Sequence, residues 1–183
     1  MSKTETYIAV LRGINVSGKN MIKMPALITS MEKIGFKNVR SYLQSGNLIF
    51  ESEERELAEF EEKIKAEIVQ SFGLDVPVLV LSSKEVLKVR NENPFVKMGG
   101  VDETKLHVTF LAEVAEKTNV DKIDAGKYAP DEFIVEGKVI YLFCPGGYGN
   151  TKLTNNFFEG KFKIMATTRN WNTVNKLVEM GEK

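Results

Sequence analysis

An α+β fold is predicted for this chain by three features. Short β-prone apolar runs alternate with windows of helical spacing. In the N-terminal half these elements follow the order β-α-β-β-α-β, which mixes hairpin and crossover connections. Clusters of Gly, Asn and Pro punctuate the junctions between them.

Residues 7–11 (YIAVL) stop at Arg12-Gly13 and read as the first strand. Residues 24–34 carry Leu27, Ile28, Met31 and Ile34 at helical spacing, with Pro25 suited to the first turn and Gly35 to the C-terminal end. Residues 38–43 and 48–50 read as strands two and three, joined through a Ser45-Gly46-Asn47 turn. Ser52 is expected to cap a long helix, with Glu53 and Glu54 in its first turn, where the helix dipole favours anions. Its apolar stripe is Leu57, Phe60, Ile64 and Ile68, and Phe72-Gly73 closes it. Residues 76–81 complete the set as strand four. This is the split βαβ, or ferredoxin-like, order.

Ser82 and Glu85 form a capping box that opens a short helix ending before Pro94. Residues 106–111 alternate as a fifth strand, and residues 119–125 form a short helical stretch. Strands at 133–135 and 139–143 flank Gly137-Lys138, a loop suited to a type II′ hairpin turn. A Gly-rich loop over 144–149 leads to a helix over 151–159. Thr168 is expected to cap a last helix with Trp171, Val174, Leu177 and Val178 inward and Gly181 at its end. The second half therefore reads β-α-β-β-α-α, like the first with its final strand replaced by a helix. The expected architecture is a ferredoxin-like half, residues 1–93, packed with a related α+β half, residues 94–183, that ends in two helices. The alternative is that both form one compact unit. The boundary is placed in the Pro-, Gly- and Asn-rich stretch 91–102.

At 183 residues, 43% hydrophobic and 27% charged, the chain has ordinary globular composition and is too apolar for disorder. Twenty-five basic and 25 acidic residues cancel, which argues against a general nucleic-acid or anionic-membrane binder. The single cysteine, Cys144, excludes an intrachain disulfide. The N-terminus lacks the apolar stretch of a signal peptide, and no run approaches the ~18 apolar residues of a membrane helix. A cytoplasmic protein is expected.

Four segments stand out: LRGINVSGKN (11–20), QSGN (44–47), TKLTNNFFE (151–159) and TTRNWNT (167–173). In this order, over nearly the whole chain, they resemble the bacterial family called domain of unknown function 1697. The family pattern usually has Gly where Ser17 stands. The resemblance implies an α+β fold with ferredoxin-like character in a small soluble bacterial protein. It implies no activity.

Function must then be read from the residues. Gly13 to Asn20 matches the P-loop pattern except at its last position, where Asn20 replaces the Mg²⁺-binding hydroxyl. A P-loop Lys sits in the first turn of its helix, whereas Pro25 places the helix start about five residues after Lys19. This segment is a Gly-rich connection or an anion-binding loop without Mg²⁺ chemistry. Residues 145–152 (PGGYGNTK) repeat the theme: strand, Gly-rich loop, Lys152, helix N-terminus. Such helix ends attract anions, and a flexible turn is the alternative. With Thr168 as cap, Arg169, Asn170 and Trp171 fall in a first helical turn, where a cation opposes the dipole and points to an anionic partner. Trp171 fits the core better than a stacking platform. Asn15, Asn20, Asn47, Asn155, Asn156, Asn170 and Asn172 supply amides suited to turns, to a ligand, or to bridging the halves. The lone His107 has no second metal-type neighbour in sequence, so no metal site is expected. No motif supports Ser17 or Cys144 paired with His107 in a catalytic role.

Three functions are carried forward. The first is a binding module or enzyme for a phosphate-bearing or otherwise anionic small ligand, using Arg12, Asn15, Lys19, Asn20, Asn47, Lys152, Asn155, Arg169, Asn170 and Asn172, with no cofactor. The second is a structural or interaction protein, monomer or homodimer, whose motif residues tie the halves together. The third is a local nucleic-acid binder using Lys161, Lys163, Arg169 and Lys176, which the neutral net charge disfavours. No catalytic residue is named.

Overall fold

The computed structural model describes residues 4–182. Its elements divide between two compact units. One runs to Leu87 and takes up the chain again from Lys176; the other is Lys88–Asn175.

The first unit is built from β1 (Thr4–Leu11), α1 (Met24–Lys33), β2 (Lys37–Tyr42), β3 (Asn47–Glu53), α2 (Leu57–Phe72) and β4 (Val78–Ser82). Its antiparallel sheet has the order β2-β3-β1-β4. One face of β1, through Tyr7, Ala9 and Leu11, joins Leu27 and Met31 of α1 and Phe60, Ile64 and Ile68 of α2 in a continuous core. An aromatic cluster lies inside it, with Phe36 and Phe50 stacked at 4.2 Å between ring centroids and Tyr7 and Phe60 at 4.6 Å. Burying each such ring contributes about 1.5–3 kcal/mol. Ile8 points to the other face, consistent with the strand period of two.

The long helix does not begin at Ser52. The β1–β3 ladder runs out to Thr4↔Glu53, so Ser52 and Glu53 are held in the sheet. Helix α2 starts at Leu57, behind an N-cap Glu56 whose side chain makes no capping bond. The Ser82–Glu85 capping box is present. Ser82 N–H and Oγ donate to Glu85 Oε2 at 2.7 and 2.9 Å, and Glu85 N–H donates to Ser82 Oγ at 3.2 Å. It opens α3 (Ser83–Glu92). A further short helix, α4 (Pro94–Met98), follows with Asn93 as its N-cap.

The second unit contains β5 (Leu106–Leu111), α5 (Lys117–Asp121), β6 (Glu132–Glu136), β7 (Val139–Phe143), α6 (Asn155–Phe162) and β8 (Ala166–Asn170). Its sheet order is β6-β7-β5-β8, the same order as in the first unit when each strand is matched to its counterpart. Leu111, Ile140, Leu142 and Cys144 pack with Phe158 and Phe162 of α6 on one face. On the other face Tyr141 Oη donates to the Val89 carbonyl at 3.2 Å, and Phe143 meets Phe95 at 6.1 Å. Gly137, with φ 59°, opens the expected two-residue hairpin loop between Glu136 and Val139.

The end of this half differs from the sequence reading. Residues 166–170 form a strand, so the two expected terminal helices are separated by β8 and both units are β-α-β-β-α-β. The strand wins because it pairs with β5 over His107↔Asn170 to Leu111↔Ala166. Thr168 is therefore no helix cap. Asn170 takes that role, its Oδ1 accepting from Thr173 N–H at 2.8 Å. Helix α7 (Trp171–Gly181) begins just after it. The C-terminal part of α7 belongs with the first unit, where a Cβ on Gly181 would come within 3.1 Å of Ser83 Cβ and 3.5 Å of Ile8 Cδ1. No described helix is long and apolar enough to cross a membrane.

Candidate functional site

In the first unit the Gly-rich segment after β1 is a miniature hairpin. Ser17 and Gly18, at φ 50° and 73°, occupy the two central positions of a tight turn, and Lys19 N–H donates to the Val16 carbonyl at 2.9 Å. Positive φ at both positions is the type I′ signature. Asn15, also at positive φ, is the clamp. Its Nδ2 donates to the carbonyls of Ile22 and Gln44 at 2.9 and 2.8 Å, and its Oδ1 accepts from Ile22 N–H at 2.8 Å. Asn20 Nδ2 donates to the Gly13 carbonyl at 2.9 Å. Asn47, fully buried, donates to the Tyr42 carbonyl at 2.8 Å. The segments LRGINVSGKN and QSGN thus meet, and their asparagines serve the loops themselves. Arg12 is half-buried at the end of β1, and Lys19 is exposed on the hairpin tip. A P-loop would wrap from strand directly into helix; this loop turns back on itself before α1.

In the second unit TKLTNNFFE meets TTRNWNT. The register places His107 opposite Asn170 and Thr109 opposite Thr168 on one face of the sheet. Thr109 and Thr168 hydroxyls lie 2.7 Å apart, and Thr168 Oγ1 donates to Asn155 Oδ1 at 2.6 Å. Asn155 lies in the first turn of α6, behind the N-cap Thr154, so it is not an interior helical residue. The His107 ring stacks on Tyr148 at 4.8 Å and sits 3.3 Å from the Lys105 carbonyl through Nδ1. Burial lowers its pKa, against a smaller opposing effect of that carbonyl.

Arg169 lies on the opposite face, across from Val108. It is 7% exposed, and its Nη1 donates to Thr167 Oγ1 and to the Thr168 carbonyl, both at 2.9 Å. Burial lowers its pKa to about 10, so it stays charged at neutral pH. Its predicted place in a helix turn is overturned by β8, and its burial takes it out of any basic surface with Lys161, Lys163 and Lys176. Asn172 is exposed on α7.

The loop over 144–153 is internally tied. Gly147 N–H donates to Cys144 O at 2.8 Å, Asn150 Nδ2 to Gly146 O at 2.8 Å, and Leu153 N–H to Thr151 Oγ1 at 3.1 Å. Burial pushes the Cys144 thiol up to about 11, so it is no thiolate nucleophile at neutral pH. Beside this loop is a cavity of about 210 Å³ lined by Lys127, Tyr128, Asp131, Asn150 and Lys152. Lys152 was expected at an anion site. Lys127 and Tyr128 were not, because residues so far apart in sequence share no spacing signal. Among the described residues no group of three His, Cys, Asp or Glu could hold a metal ion.

A family model, "Protein of unknown function (DUF1697)", matches residues 4–141. The chain belongs to this family. The DUF1697 match spans all of the first unit's sheet and reaches into β7. A solved structure described as conserved bacterial protein SP0830 from Streptococcus pneumoniae superposes with a TM-score of 0.71, at 23% identity over 99% of this chain and 100% of its own. At that identity the likeness shows a shared fold. A comparison with curated proteins found no match.

Proposed function

We propose that this DUF1697 protein binds a small phosphate-bearing or otherwise anionic molecule at the cavity beside the 144–153 loop. The observation that carries the reading is the pair Lys127 and Lys152 lining one 210 Å³ cavity, with Asn150 and Tyr128 as hydrogen-bonding neighbours. Ligand pockets for drug-sized molecules measure roughly 300–1,000 Å³, so a compact metabolite suits this one better than a dinucleotide. Asp131 adds an acceptor for a hydroxyl or amine on the same ligand. The loop's own hydrogen bonds hold Asn150, and the backbone on either side of Lys152, in place before binding, which lowers the ordering cost. Of the residues first expected at a ligand, only Lys152 lines this cavity; Asn155 accepts from Thr168, and Asn170 caps α7. A cytoplasmic setting belongs to this reading, with Cys144 a buried packing residue.

A second reading, an interaction protein without a small ligand, draws on the internal use of Asn15, Asn20 and Asn47. One experiment separates the two. Thermal shift is measured with inorganic phosphate, sugar phosphates and nucleotides, on the natural chain and on Lys127→Gln/Lys152→Gln. A ligand at about 100 times its Kd adds ~2.7 kcal/mol, a rise of roughly 5–10 °C for a chain of this size. A rise with compact phosphorylated compounds that shrinks in the double variant supports the first reading. A flat panel, or a rise the variant leaves untouched, removes it and favours the second.

A further inference from the structure

The two units share one chain path, and that path puts corresponding connections at the same end of each sheet. In a β-α-β-β-α-β unit the first and second strands run parallel and the third antiparallel, so the helix-to-second-strand link and the third-strand-to-helix link lie together, where the first strand begins. In the second unit those links carry Lys127, Tyr128 and Asp131, and Asn150 and Lys152, around the cavity just described. In the first unit the same two links hold a second cavity, also about 210 Å³. Gly35 lines it from the α1–β2 link and Lys37 from the start of β2, Ser52 and Glu53 from the end of β3, Arg55 from the β3–α2 link, and Lys63 from α2.

The charges correspond as well as the positions. Arg55 pairs with Glu59, which also lines the cavity, at 3.4 Å. Lys37, Arg55 and Lys63 outnumber Glu53 and Glu59 around this cavity by one charge, beside the hydroxyl of Ser52. The second unit has Lys127 and Lys152, the carboxylate of Asp131, and the amide of Asn150. Lys63 sits over the Phe36 ring at 5.3 Å, and Lys127 makes an exposed 3.8 Å contact with Asp124. An exposed pair such as Lys127–Asp124 holds a lysine weakly, and Lys63 is itself exposed, so both lysines can turn to a stronger anion.

We infer that the first unit carries its own binding site for the same class of small phosphorylated molecule, at the cavity between Lys37, Ser52 and Lys63. The class of ligand rests on the function proposed for the second unit; the location rests on the repeated topology. The site uses none of the motif residues of the first unit, since Asn15, Lys19 and Asn47 lie by the opposite connections, those after β1 and between β2 and β3.

The test is an amide NMR titration of the ¹⁵N-labelled full chain with inorganic phosphate, at ionic strength held constant with sodium chloride. Two separate groups of amides are expected to move saturably, one over residues 35–37 and 52–55, the other over 127–131 and 150–152. Lys37→Gln/Lys63→Gln should abolish the first group of shifts and leave the second, and Lys127→Gln/Lys152→Gln should do the reverse. Unperturbed amides elsewhere report that each variant is folded. Movement of the second group alone, or of a first group that ignores Lys37→Gln/Lys63→Gln, overturns the inference and leaves the proposed function standing. Movement of the first group alone sustains this site and removes the one in the second unit. No movement in either overturns both.

Discussion

His107 is the one histidine of the chain, and its environment is unusual for a group that titrates near neutrality. It is held between Tyr148 and the Lys105 carbonyl, and burial depresses its pKa. The unfolded chain, with a histidine pKa of ~6.5, therefore takes up the proton before the folded chain does. Stability from neutral His107 is complete above that pH and is lost as pH falls toward the lower folded value. The urea midpoint of the natural chain should drop between pH 7 and pH 5 by more than that of His107→Gln. Parallel curves for the two proteins would show that His107 does not report on the fold. Asparagine carries a different lesson at this scale. Asn15, Asn20 and Asn38 all sit at positive φ, which asparagine tolerates and most residues do not. In the motif segments this backbone demand accounts for Asn15 and Asn20, whereas Asn47, Asn155 and Asn170 act through side-chain hydrogen bonds.

At the scale of elements, the β1–α1 loop and the β2–β3 turn are built against each other. Leu11 N–H donates to the Gly46 carbonyl at 2.8 Å, and Asn15 bridges to Gln44. Gly46, at φ 82°, leaves no room for a side chain. An added Cβ would lie 2.8 Å from Ile14 Cδ1 and 2.9 Å from Leu11 Cβ. Gly46→Ala should thus cost about 2–4 kcal/mol, from overpacking plus backbone strain. Gly18→Ala is the control. Its φ of 73° is similar but nothing lies within 4 Å of the new Cβ, so the expected loss is only about 1–2 kcal/mol. Equal losses in denaturant unfolding would mean that the two loops do not pack as described. The segment at 166–170 shows how an element can be misread. Ala-Thr-Thr-Arg-Asn has no long apolar run, and Thr168 is a competent cap by sequence. Pairing with β5 and the Thr109–Thr168 hydroxyl contact make it a strand.

For the whole molecule, the decisive feature is that the first unit is not contiguous. It takes in the C-terminal part of helix α7 from the far end of the chain, where Leu177 and Val178 are buried and Gly181 lies beside Ile8. Ending the chain at Asn175 should cost roughly 3–6 kcal/mol, the value of burying two aliphatic side chains, and should expose apolar surface to a hydrophobic dye. A truncated chain with an unchanged urea midpoint and no dye binding would place the last helix outside the core. The repeated β-α-β-β-α-β path has its own consequence, because any feature set by connection geometry is offered twice. The paired cavities follow from it.

The sequence by itself determined the α+β class, the split βαβ order of the first half, the capping box at Ser82, the hairpin at Gly137 and the family. These depend on periodicity, caps and turn residues, which act over a few positions. Tertiary structure alone decided that residues 166–170 pair as a strand, that Ser52 stays in the sheet, that Arg169 is buried, and that Lys127 joins Lys152. Each of these turns on a partner far away in the chain. Strand formation in particular depends on the neighbouring strand more than on the residues themselves, so no local pattern carries it.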